Sequence, residues 1–181
     1  THQFLLEEIY RADTGRADRE ALDLIRERWS PMAKGETGTV WEGFGPAENC
    51  HEAGAVPAYF LSAYVLGVRL DGPVGNRRLR IEPRLGGLRQ AAGVVVTEHG
   101  PVPVSWTRQP AGTALDFAFE VPGGIQAKLA LPRLGENQEV IIDNRKVDPA
   151  ALVSRGRWVE LEAGPGRHVG QISVRPSATS K

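Results

Sequence analysis

At 181 residues, 41% of them apolar, the chain is long enough for one good-sized domain or two small ones and apolar enough to exclude wholesale disorder. Lysine plus arginine and aspartate plus glutamate both number 22, so a formal charge of zero leaves no electrostatic footprint for nucleic acid or an anionic membrane. The one cysteine, Cys50, excludes an internal disulfide and a cysteine-rich metal centre, and no apolar run approaches the roughly 18 residues that span a bilayer.

The opening Thr-His-Gln-Phe-Leu-Leu-Glu-Glu has no basic region followed by an apolar run, as a signal peptide would. With no initiator methionine, Thr1 reads as the middle of a longer sequence. Phe4, Leu5, Ile9 and Ala12 recur near helical spacing and predict a first helix, stopped by Thr14-Gly15. A second helix fits Ala17 to Trp29, with Ala21, Leu22, Leu24, Ile25 and Trp29 on its apolar face and Pro31 ending it. Glycines at 35, 38, 43 and 45 then break the chain into a loop. A third helix fits Val56 to Leu66. Pro57 sits in its first turn, Tyr59, Phe60, Ala63, Tyr64 and Leu66 form its face, and Gly67 closes it.

From about residue 71 the period switches to two. Strands are predicted at 79–81, 93–97, 103–107, 115–121, 125–131, 139–142, 158–161 and 168–174, each bounded by Gly, Pro or Asn-Arg turns. Eight short strands with tight turns suggest an antiparallel sandwich or jelly roll. The segment Asp71-Gly72-Pro73-Val74-Gly75-Asn76 is the predicted boundary, giving a helical domain over 1–70 and a β domain over 71–181. Three helices alone make a marginal core, so the helical part is expected to need a partner.

The most informative stretch is Gly35 to Phe44, a glycine-rich loop that sets Trp41 directly before Glu42. Sugar sites combine flat apolar rings, which stack on C–H faces, with carboxylates that move protons. Trp41 and Phe44 are candidate platforms, Glu42 a candidate acid–base group, and His51, at the entrance of the third helix, a candidate hydroxyl partner. Each has a plainer alternative: a capping or surface carboxylate, a capping histidine, core aromatics. Cys50 and His51 are immediate neighbours that would not face one another, which argues against a cysteine nucleophile. The histidines at 2, 51, 99 and 168 show no metal-ligand spacing, no acidic loop has a calcium pattern, and no cofactor is implied. His99 and His168 read as turn residues.

Ala33 to Glu42 resembles the "G-A-T-T-x-W-E" stretch of family 78 glycoside hydrolases, the bacterial-type α-L-rhamnosidases. His51 through Gly54-Ala55-Val56 to Val68 is similar to that family's "N-H-x-x-x-G-A-V" helix ending in "L-x-G-I". Arg80-Ile81-Glu82-Pro83, Gly100 to Trp106, Val121-Pro122-Gly123-Gly124 and Ala130-Leu131-Pro132 are similar to its β-sandwich. The resemblance covers nearly the whole chain. It implies an α + β multidomain piece: the last helices of an (α/α)6 barrel followed by an antiparallel, jelly-roll-like sandwich.

The resemblance further implies an inverting glycoside hydrolase that removes terminal rhamnose. Glu42 would be the general base, His51 a rhamnose contact and Trp41 a wall of the sugar pocket. The general acid would lie on an N-terminal barrel segment upstream of this motif. Three departures stand out: Gly38 replaces the first Thr of the pair, the connection from Glu42 to His51 is short, and Cys50 stands where the family has Asn. Two other readings remain open. One is a non-catalytic carbohydrate-binding or structural module, for which Trp106 and Trp158 in the strands would be the sugar platforms. The other is a barrel hydrolase acting on a different sugar.

Overall fold

The computed structural model describes residues 2–36, 38–41, 43, 52–73 and 75–174. They divide into two units, one of residues 1–65 with 85–87, the other of 66–84 with the rest from 88 onward.

In the first unit, α1 (His2–Arg11) is followed by α2 (Gly15–Lys34). Thr14 stops nothing on its own account; it caps α2, its hydroxyl accepting from the Ala17 amide at 3.1 Å. Pro31 does not end α2 but sits in its last turn. Pro31 and Glu27, whose carbonyl loses its donor, are both exposed, which leaves that carbonyl open to solvent. The third helical segment is composite: a 3-10 turn (Glu52–Ala55), the short α3 (Val56–Phe60) and a π turn (Leu61–Val65).

The core of this unit is Leu6, Tyr10, Ala21, Ile25 and Phe60. The α1 face is therefore not the expected one. Leu6 and Tyr10 are buried, whereas Phe4 is 64% and Leu5 47% exposed. The reason is aromatic stacking: Tyr10 lies 4.2 Å from Tyr64 and 5.8 Å from Phe60 with near-parallel rings, which decides the stripe that turns inward.

The second unit holds eleven strands among the described residues. They are β1 (Val68–Leu70), β2 (Arg78–Ile81), β3 (Gln90–Thr97), β4 (Gly100–Arg108), β5 (Ala114–Val121), β6 (Gln126–Pro132), β7 (Gln138–Ile142), β8 (Arg145–Lys146), β9 (Val153–Arg155), β10 (Trp158–Ala163) and β11 (Gly166–Val174). All eight predicted strands are among them; β1, β8 and β9 are additional. One sheet runs β1-β2-β6-β10-β9 and the other β3-β4-β5-β11-β7-β8. Alternate residues are buried along β4 (Val102, Val104, Trp106) and β5 (Leu115, Phe117, Phe119, Val121), and Leu79, Ile81, Leu129 and Leu131 are buried in the other sheet. Two sheets with buried apolar faces make a β-sandwich.

The sandwich departs from the expected antiparallel jelly roll in one pairing. β2 and β6 run parallel, Leu79 opposite Ala127. Between them the chain makes the antiparallel strands β3, β4 and β5 in the other sheet, and three intervening reversing strands return β6 in the direction of β2. The segment 71–76 is not a break between units: it joins β1 to β2, which pair antiparallel from Val68–Ile81 to Leu70–Leu79. The division falls earlier, at Val65. Beside it Gly67 has a φ of 85°, and a Cβ there would lie 2.3 Å from the Glu82 carbonyl carbon. Both the left-handed backbone and the close approach require glycine.

Candidate functional site

Of the residues the sequence singles out, Trp41 is described; Glu42, Phe44 and His51 lie outside the described residues. Trp41 is half-buried in the irregular segment that follows α2. Three contacts fix it. Its amide donates to the Met32 sulfur at 3.4 Å. Its ring edge lies 3.5 Å from where a Cβ on Gly35 would stand. Its backbone presses on Gly54 so closely that a Cβ at 54 would meet the Trp41 carbonyl oxygen at 2.2 Å.

Gly54 is held from its other side as well. The buried Trp29 indole N–H donates to the Gly54 carbonyl at 2.7 Å. A helix residue, a 3-10 turn and the segment before Glu42 are thus tied together, with glycine as the only residue that fits between two tryptophans. Trp29, Met32 and Gly54 are the residues sequence reasoning missed in this role. Trp29 and Met32 look like ordinary helix-face residues, and Gly54 looks like a helix-start glycine. The 25-residue separation of Trp29 and Gly54 hides their bond.

Next to this junction lies a cleft of about 400 Å³, walled mainly by Ile25, Trp29, Met32, Val40, Pro57 and Leu61. Arg26, Ser30 and Thr39 are its polar side chains, and no carboxylate lines it among the described residues. Among the described residues it offers hydrogen-bonding side chains but neither a base nor an acid.

Elsewhere the sandwich unit contains a dense ionic cluster built on Glu82. Its carboxylate accepts from Arg69 Nη2 at 2.7 Å, Arg80 Nε at 2.6 Å and Arg84 Nη2 at 3.0 Å. Arg80 also reaches Glu160 at 2.6 Å. Burial pushes the Glu82 carboxyl up, but Arg69 and Arg80 outweigh it and hold the group below its ordinary value of 4.5. Held by three guanidiniums in a buried setting, this carboxylate is a poor proton donor, and the cluster serves to tie the strands together.

The two strand tryptophans are unavailable as sugar platforms, since Trp106 is 1% and Trp158 3% exposed. His168 is not a turn residue; it lies in β11 opposite Phe119. Its ring nitrogens meet Asp143 Oδ2 at 2.8 Å and the Gly164 carbonyl at 2.9 Å. The Asp143 carboxyl is held below its ordinary range first by the Val169 amide, then, against some desolvation, by His168. His99 does lie in a turn, between β3 and β4. Among the described residues no three His, Cys, Asp or Glu side chains come together to hold a metal ion, and no helix is long and apolar enough to cross a membrane.

Comparison with known proteins adds the following. Residues 67–146 match the family model of the bacterial alpha-L-rhamnosidase C-terminal domain. The structure is similar to that of an alpha-L-rhamnosidase from Dictyoglumus thermophilum, with a TM-score of 0.65 and 20% identity, over 78% of this chain and 17% of that one. It is also similar to a Streptomyces avermitilis alpha-L-rhamnosidase complexed with L-rhamnose, with a TM-score of 0.63 and 22% identity, over 78% of this chain and 14% of that one. The chain therefore spans less than a fifth of the length of either, and at these identities the likeness is one of fold. No curated protein sequence gave a match.

Proposed function

Because residues 67–146 match the family model of the bacterial alpha-L-rhamnosidase C-terminal domain, we propose that the chain is the C-terminal part of an inverting glycoside hydrolase that removes terminal rhamnose from glycosides. Residues 1–70 are, in this reading, the last helices of an (α/α)6 barrel. The observation that carries it is the joining of the matched domain to a helical unit that leaves Phe4, Leu5, Tyr59 and Leu61 exposed. Apolar side chains on amphipathic helices call for a covering layer, which preceding barrel helices would supply.

Glu42 acts as general base, drawing a proton from the water that attacks the anomeric carbon. A carboxylic acid on the upstream barrel segment protonates the leaving oxygen, and the two groups stand about 6.5–9.5 Å apart to admit the water. Trp41 walls the sugar pocket, Phe44 adds an apolar surface, and His51 bonds a sugar hydroxyl. The purified 181-residue chain should give no turnover of an aryl rhamnoside. A polypeptide that also carries the upstream barrel should turn it over and lose about a hundredfold or more with Glu42→Gln. Turnover by the short chain alone, abolished by Glu42→Gln, would falsify the placement of the acid upstream.

A second reading, a non-catalytic carbohydrate-binding or structural module, draws on the self-contained core of the sandwich. With Trp106 and Trp158 buried, its structural form is the better supported. Rhamnose binding that survives both Trp41→Ala and Glu42→Gln would favour it over the hydrolase.

A further inference from the structure

We propose that Trp29 is a positioning residue for Trp41, acting through Gly54; the significance for sugar binding rests on the reading above, in which Trp41 walls the pocket. Trp29 is anchored in α2, the longest helix of its unit, and is 9% exposed. Its indole N–H fixes the Gly54 carbonyl at 2.7 Å inside the protein, where an unmade bond is costly. Gly54 in turn has no room to move toward Trp41: the positions of the Trp41 nitrogen and the Val40 Cβ are both 3.0 Å from a would-be Cβ. A shift of Gly54 is thus transmitted directly to the Val40–Trp41 backbone. The Met32 sulfur, one turn along α2 from Trp29, receives the Trp41 amide. One helix therefore sets Trp41 by two routes, a direct one from Met32 and an indirect one from Trp29.

The indirect route has a chemical signature that packing alone lacks, because it depends on a single N–H. Trp29→Phe keeps an aromatic ring in the helix and deletes only the donor and part of the ring. Ring-fluorinated tryptophan at 29 keeps the donor. The experiment is amide hydrogen exchange on the 181-residue chain, read at Val40 and Trp41 and, as the internal control, at the core residues Tyr10 and Ile25. Trp29→Phe should speed exchange at Val40 and Trp41 about tenfold, leave the control amides unchanged, and be without effect when the fluorinated tryptophan is used instead.

Unchanged exchange at Trp41 in Trp29→Phe would overturn the inference, and so would equal acceleration at Tyr10 and Ile25, which marks general loosening. A polypeptide that also carries the upstream barrel, with and without Trp29→Phe, titrated with L-rhamnose and read at the Trp41 side-chain resonance, separates this inference from the functional reading. A rhamnose shift at Trp41 whose midpoint rises about tenfold in Trp29→Phe upholds both. Local acceleration of exchange with no rhamnose response at Trp41 in the unsubstituted barrel-carrying polypeptide upholds the positioning role and overturns the sugar pocket.

Discussion

Removing the charge from Glu82 leaves Arg69, Arg80 and Arg84 converging on a buried amide. Glu82→Gln is expected to cost about 3–5 kcal/mol, because removing the buried carboxylate on which three guanidiniums converge leaves less negative charge to balance them. The pH dependence follows from the sign of the shift. A carboxyl whose folded value is depressed stabilises fully above its unfolded value and loses that contribution as pH falls through the folded one. Urea midpoints measured from pH 7 downward should therefore be flat until about pH 4.5 and then fall, and the fall should be shallower in Glu82→Gln. A steep, unchanged acid limb in the variant would mean that other carboxylates govern it. This cluster was only half legible in the sequence. Arg80-Ile81-Glu82-Pro83 stood out as a motif, but Arg69 and Glu160 join it through strand pairing across the sheet, which no local spacing encodes. The Trp29–Gly54–Trp41 junction was hidden for the same reason.

Element by element, the strands were the most readable part of the chain, since alternation along β4 and β5 reports directly which side chains face the core. The three that escaped are two or three residues long. β1 follows directly on the glycine that closes a helix, and β8 and β9 are exposed throughout, so they carry no apolar alternation. In the helices the period was right but the phase of α1 was wrong, because stacking between Tyr10, Phe60 and Tyr64 is a tertiary choice. β3 exposes a different property. It is an edge strand of eight uncharged residues, with Val96 83% and Val94 58% exposed. Such an edge, without lysine or proline, is a template for pairing with another chain. Val96→Lys is expected to reduce sheet-rich aggregation on heating, followed by light scattering, while moving stability by no more than about 0.5 kcal/mol. Destabilisation well beyond that would show that Val96 has a covering neighbour.

For the molecule as a whole, the two units predict unequal independence. The sandwich unit buries its own core, including Trp106, Leu115, Leu129 and Ile172. A chain shortened to begin at Leu66 should keep a cooperative thermal transition and the fixed near-ultraviolet signal of Trp106 and Trp158. Loss of that signal with sheet content retained would mean that residues 1–65 are needed to set the packing. The strand order also constrains when the chain can fold. The last described strand, β11, is seated in the middle of its sheet between β5 and β7, and β10 is seated between β6 and β9 in the other. Until the ribosome has released residues up to Val174, β5 has no second neighbour and β7 pairs only with the two-residue β8. Neither sheet can close early, so the nascent sandwich waits with open edges for its final segment. A premature stop before Gly166 would leave a species whose unpaired strands invite chaperones or aggregation rather than a smaller folded domain.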